Sequence, residues 1–144
     1  MQDTDTSILI VDDSKFNCVM IDKALKEAGY TNVRTTRSAK EGLSIMSERP
    51  VDILVSDWVM PEMDGIELMK NVREFDETHH HYTYILLLTS REGIDPMIEA
   101  FDQGVDDFLQ KPPHKFELLA RIYAARRISS LHNNLLHSSR ALNR

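Results

Sequence analysis

Apolar positions along this chain fall into short runs separated by amphipathic stretches. Ile8-Leu9-Ile10-Val11, Ile53-Leu54-Val55 and Ile85-Leu86-Leu87-Leu88 are continuously apolar, the pattern of strands covered on both faces. Val33-Arg34-Thr35-Thr36 and Asp106-Asp107-Phe108-Leu109-Gln110 mix polar and apolar residues, which suits sheet edges. Together these predict strands over 7–12, 32–36, 52–57, 84–89 and 106–110. Between them, helical spacing predicts helices over about 14–28, 38–48, 65–75, 94–103 and from 114 onward. Ser14 and Ser38 are placed to cap helix starts, Gly29 and Gly104 to end helices, and Pro96 sits in a first turn where its missing N–H costs little.

Five strand–helix alternations predict an α/β fold with one parallel sheet and helices on both faces. With the first, third and fourth strands central and the second and fifth outside, the strand order is 2-1-3-4-5. This is the flavodoxin-like arrangement, whose ligand crevice opens between strands one and three.

The strand ends carry the candidate chemistry. Asp12-Asp13, Asp57, Thr89 and Lys111 each follow a strand run, so a parallel sheet brings three carboxylates, a hydroxyl and an ammonium to one edge. Clustered carboxylates without cysteine or paired histidine make a hard-oxygen site suited to Mg²⁺, with Mn²⁺ as an alternative. A cation relieves the repulsion among the carboxylates and bridges to an incoming phosphoryl group, which Lys111 and Thr89 can also hold. Asp12 and Asp13 lead straight into a helix, a geometry suited to holding an ion. Asp57 is followed by a turn-rich loop that leaves it at an open rim, so Asp57 is the candidate acceptor, forming an acyl phosphate.

Composition narrows the alternatives. The 144 residues are enough for one domain with its own core. The single Cys18 excludes a disulfide framework and sits where a buried thiol is expected. The acidic, polar start and the lack of a long apolar run predict a cytoplasmic protein with no membrane role. The net charge of −6 divides into 22 acidic and 10 basic residues over 1–110 against 1 acidic and 7 basic over 111–144. A single basic helix without a helix-turn-helix partner reads as a solvated, partner-facing element and not as a nucleic-acid binder. The stretch 76–83 reads as a long polar loop; its three adjacent histidines point different ways and do not form a metal site. No Gly-x-Gly-x-x-Gly or Walker loop is present.

The acidic pair Asp12-Asp13, the stretch Asp57-Trp58-Val59-Met60-Pro61-Glu62-Met63-Asp64-Gly65, Thr89-Ser90, and Gly104-Val105-Asp106-Asp107-Phe108-Leu109-Gln110-Lys111-Pro112 together resemble a response-regulator receiver domain of bacterial two-component signalling. The resemblance covers about 7–128. It implies that Asp57 is phosphorylated by a sensor histidine kinase or phosphotransfer protein. It implies that Asp13, Asp57 and the backbone carbonyl of Val59 bind Mg²⁺ directly, with Asp12 acting mainly through water. Lys111 and Thr89 would hold phosphoryl oxygens, and Thr89 and Phe108 would move as the switch. The Lys111–Pro112 bond is one that the family often has in the cis form. Such a domain is a switch that assists its own phosphorylation and dephosphorylation and is not an enzyme in the ordinary sense.

Val59 lies where an aspartate-nucleophile phosphatase would place a general acid, and an apolar residue cannot position attacking water. A long-lived phosphorylated state follows, with Arg91 as a second modulator. A binding-only pseudo-receiver and a phosphatase are the competing readings. The expected division is a disordered 1–6, a receiver domain over 7–128 and a helical extension over 129–144. In the extension Ile128, Leu131, Leu135 and Leu142 continue at heptad-like spacing, interrupted by Ser138, which suits a linker to an output domain or a homodimer helix. The run Glu117-Leu118-Leu119-Ala120-Arg121-Ile122 resembles receivers joined to cyclic-di-GMP enzymes, a fold-level analogy.

Overall fold

The structure is a computed structural model that describes residues 5–142, with side chains described through Ser138. Five strands alternate with five helices: β1 Ile8–Val11, α1 Lys15–Glu27, β2 Val33–Thr36, α2 Ala39–Glu48, β3 Ile53–Asp57, α3 Gly65–His79, β4 Tyr84–Thr89, α4 Ile94–Gln103, β5 Asp107–Gln110 and α5 Lys115–Leu142. All neighbouring strands are parallel and their order is β2-β1-β3-β4-β5, as the run pattern predicts. Every residue of β1, β3 and β4 is buried, while β2 and β5 at the edges carry exposed polar positions.

Strand alternation divides the core into two layers. Ile8, Ile10, Ile53, Val55, Leu86 and Leu88 face α1 and α5 through Cys18, Ile21, Leu25, Leu118 and Ile122. Leu9, Val11, Leu54, Ile85 and Leu87 face the other way, against Ala39 and Met46 of α2, Leu68 and Val72 of α3, and Ala100 of α4. Ser14 accepts a hydrogen bond from Asn17 N at the start of α1, and Ser38 does the same from Glu41 N at α2.

One expectation is corrected at the edge opposite the strand C-termini. The stretch 76–83 is not a long loop: α3 continues to His79 and ends on His80 in the left-handed region. Asp76 is buried there, and its carboxylate accepts from both Thr83 N at 2.8 Å and Thr83 Oγ1 at 3.0 Å. His79 and His81 face separate backbone carbonyls, those of Phe75 and Val51.

Past residue 128, α5 packs on the domain at least as far as Asn133. Ser129 and Asn133 are buried. Asn133 accepts from Tyr82 N at 2.8 Å and donates to Tyr82 O at 3.0 Å, and His132 stacks on the Tyr82 ring. Ile128, Leu131 and Leu135 lie exposed on the helix's outer side. At the other terminus, residues 1–4 of the expected disordered stretch lie outside the described residues, whereas Thr6 is buried.

One glycine sets the position of the β3–α3 connection. A Cβ on Gly65 would lie 2.4 Å from the Asp57 carbonyl oxygen and 2.8 Å from Leu87 Cδ1. Gly65 N also donates to Trp58 O at 2.8 Å, closing the loop tightly over the end of β3. Gly65→Ala is therefore expected to lower stability by about 2 kcal/mol, measured by urea unfolding, because the backbone must shift to admit the methyl group.

Candidate functional site

The sheet register assembles the site. Val11 is level with Ser56 and Asp57 with Leu88, so the residues after β1 and at the end of β3 open side by side. Asp12 is almost fully buried. Its carboxylate accepts from Ser14 N at 2.9 Å and Asn17 Nδ2 at 3.4 Å, the first turn of α1 folding back onto it. Asp13 is half-buried, and its carbonyl accepts from Arg37 Nε at 3.1 Å. Carboxylate oxygens of Asp12, Asp13 and Asp57 all lie within 4.8 Å of one another, a grouping able to hold a metal ion.

Lys111 closes the cluster from the end of β5. Its Nζ lies 2.9 Å from Asp12 Oδ2 and 3.0 Å from Asp57 Oδ2. The Lys111–Pro112 bond is cis. Burial pushes the Asp57 carboxyl above its ordinary range; the Lys111 hydrogen bond works against this and the Asp12 and Asp13 charges add to it. For Lys111 burial acts to lower the pKa, but its hydrogen bonds to Asp12 and Asp57 outweigh that, and the ammonium is held more firmly than in water.

Thr89 at the end of β4 is buried, and its Oγ1 accepts from Arg91 N at 3.0 Å. Trp58 is 5% exposed, with Phe108 edge-on to it at 6.4 Å between ring centroids. Phe108 is half-buried against the core layer shared by α2, α3 and α4.

The structure thus brings Lys111 into direct contact with Asp12 and Asp57, places Asp13 within 4.8 Å of both carboxylates, and sets Thr89 and Phe108 on neighbouring strands and Val59 in the loop after β3. One detail differs from expectation. Asp57 is not at an open rim: its side chain is 10% exposed, and the exposure falls on Val59 at 65%. The tight Gly65 turn folds the loop back over Asp57. The sequence reading missed Asn17 and Arg37. Asn17, one helical turn past the acidic pair, was within reach of a pattern argument. Arg37 becomes visible only once β2 is set beside β1.

The description "Response regulator receiver domain" matches residues 8–123. The chain belongs to the response regulator receiver family. As a receiver it is part of two-component signalling, where such domains act as phosphorylatable switches rather than enzymes. The transcriptional regulatory protein YvrH of Bacillus subtilis is 36% identical over 118 residues, 82% of this chain and 48% of that protein. The cell cycle transcriptional regulator CtrA of Caulobacter vibrioides is 32% identical over 125 residues, 87% of this chain and 52% of that protein. The receiver spans about half the length of these curated relatives. Among solved structures, the chemotaxis response regulator CheY4 of Vibrio cholerae aligns with a TM-score of 0.76 at 30% identity, covering 84% of this chain and 98% of that one. A response regulator receiver domain protein from Clostridium thermocellum aligns with a TM-score of 0.68 at 25% identity over 95% of this chain and 98% of that one. No helix among the described residues is long and apolar enough to cross a membrane.

The raised Asp57 pKa has a stability consequence with a definite sign. A carboxyl whose folded pKa exceeds its unfolded one destabilises the fold when ionised, and the penalty is relieved as pH falls through the raised value toward the ordinary carboxylate range. Asp57→Asn removes the same charge at neutral pH. It is expected to raise unfolding stability in metal-free buffer, with the gain shrinking as pH falls, as read by denaturant titration across pH.

Proposed function

We propose that Asp57 accepts a phosphoryl group from the phosphohistidine of a sensor kinase or phosphotransfer protein. The observation that carries this reading is the Lys111 ammonium bridging Asp12 and Asp57 at 2.9 and 3.0 Å inside a cluster of three carboxylates. In the transfer, an Asp57 carboxylate oxygen forms the new bond to phosphorus as the phosphorus–nitrogen bond of the donor breaks. The electron pair leaves with the imidazole, and the product is an acyl phosphate on Asp57. The raised Asp57 pKa means that its nucleophilic carboxylate form gives way to the acid at a higher pH than an ordinary carboxylate does.

The donor set fits Mg²⁺. It offers only hard oxygen atoms, from Asp12, Asp13 and Asp57, and the Val59 backbone carbonyl would be a further ligand from the loop that follows. Mg²⁺, when bound, neutralises charge on the carboxylates and the phosphoryl oxygens. Asp13 and Asp57 would be its direct protein ligands, with Asp12 acting through water. Lys111 then exchanges its two carboxylate contacts for a phosphoryl oxygen, and the Thr89 hydroxyl turns toward another. Phe108, already packed edge-on to Trp58, supplies the aromatic that responds behind Thr89.

Val59 tunes the lifetime. Its exposed apolar side chain beside Asp57 cannot orient a water for attack on the acyl phosphate, which favours a stored signal. The output is control of a covalent domain or a separate partner protein. The relatives named above are transcriptional regulators, which supports transcription as the process controlled more than cyclic-di-GMP turnover. A cytoplasmic location belongs to the same proposal and agrees with a free, buried Cys18.

Incubation with a small acyl-phosphate donor and Mg²⁺ tests the reading. Intact-mass spectrometry is expected to show one added phosphoryl group, removed by chelation of Mg²⁺ during labelling and absent in Asp57→Asn. Undiminished labelling of Asp57→Asn would contradict the assignment. Val59→Asn is expected to shorten the phosphorylated half-life by about tenfold, followed by phosphate release after the donor is removed.

A further inference from the structure

Arg91 touches three parts of the molecule: the Thr89 hydroxyl, the Trp58 ring and α4. Its backbone N–H donates to Thr89 Oγ1 at 3.0 Å. Its guanidinium carbon sits 4.3 Å from the centre of the Trp58 ring, on the residue that follows Asp57. Its Nη1 is 3.4 Å from Glu99 Oε2 on α4. Gln110 Nε2 holds the Arg91 carbonyl at 3.3 Å, tying the same residue to β5.

The helix on the other end of this contact is lightly held. α4 starts at Gly93 with no side-chain cap, and its buried residues are Pro96 and Ala100. Ile94, Ile98 and Phe101 are exposed. Among the described residues the Arg91–Glu99 pair is the single ion pair made by α4. A helix with few buried contacts has its position decided by a few interactions, and this one is anchored directly over the ring beside the acceptor.

We propose that Arg91 latches α4 to the aspartate pocket and lets go when the pocket fills. This rests on the phosphoacceptor reading above, in which the Thr89 hydroxyl is drawn to the phosphoryl group. Because Arg91 N is bonded to that hydroxyl, the hydroxyl cannot move without displacing the Arg91 backbone or losing its donor. Displacing the backbone shifts the guanidinium off the Trp58 face and weakens its hold on Glu99, and losing the bond frees the segment between β4 and α4 to make the same shift. The stack and the ion pair are each modest at partial exposure, so the latch is easily opened by a ligand that favours the displaced state. Arg91 is thus a positioning residue acting through Thr89 and Glu99, and it sets how far occupancy of the site is felt by α4.

Hydrogen exchange on the full chain, with Mg²⁺ and beryllofluoride as the phosphoryl mimic, tests the latch. Fluorine NMR on the same samples reports bound fluoride. In the wild-type protein the ligand is expected to speed α4 amide exchange by about threefold, the scale of one partly exposed ion pair with a stacking contact. Glu99→Gln is expected to show that faster exchange before ligand is added, and to gain little more on binding, with the bound-fluoride signal intact. Arg91→Gln/Glu99→Gln should respond like Glu99→Gln, since the two residues act as one unit. A full wild-type rise in α4 exchange in Glu99→Gln, with fluoride bound, would overturn the latch and leave the phosphoacceptor reading standing. Absence of bound fluoride in the wild-type protein would overturn both.

Discussion

The Lys111 ammonium between Asp12 and Asp57 is the interaction on which the rest depends. Three carboxylates within 4.8 Å of one another and one ammonium leave two negative charges uncompensated when all are ionised. At the effective dielectric of a protein surface, two like charges 4 Å apart repel by about 4 kcal/mol, so such a cluster persists only where something offsets it. Lys111 offsets part, and burial still leaves Asp57 above its ordinary pKa. The residual charge matches that of one divalent cation. This is the physical reason to read the pocket as a receptor for Mg²⁺ and a phosphoryl group and not as solvated strand ends.

The fold supplies the proximity that the charges resist. Paired parallel strands fix Val11 opposite Ser56, and the chain leaves β1 and β3 toward opposite faces of the sheet, so a crevice opens between their ends. Gly65 then brings the β3–α3 turn down onto the Asp57 carbonyl, an approach that no larger residue permits. Asn17 and Ser14 N hold Asp12 from the start of α1, and Arg37 holds the Asp13 backbone from beyond β2. Stability is given up at Asp57 and recovered in the two apolar layers around it.

Much of this was legible in the sequence, for a reason particular to parallel sheets. A strand buried on both faces must be continuously apolar, so Ile8–Val11, Ile53–Val55 and Ile85–Leu88 announced themselves as central, and their polar end residues then fell on one edge. What escaped was polar structure. The last turn of α3 is held by Asp76 on Thr83, and the far half of α5 by Asn133 on the Tyr82 backbone. Such hydrogen bonds leave no period in hydrophobicity, so these residues read as loop and as helical extension. The enclosure of Asp57 escaped similarly: the loop composition signalled a turn, but the close approach at Gly65 becomes visible only in three dimensions.

Trp58 provides the most direct test, since it adjoins Asp57 and carries Arg91 and Phe108 on its ring. Its fluorescence should change in two saturable steps, first with Mg²⁺ and then with beryllofluoride, and the second step should be lost in Lys111→Ala. Emission that stays flat through both additions in the wild-type protein would contradict the account.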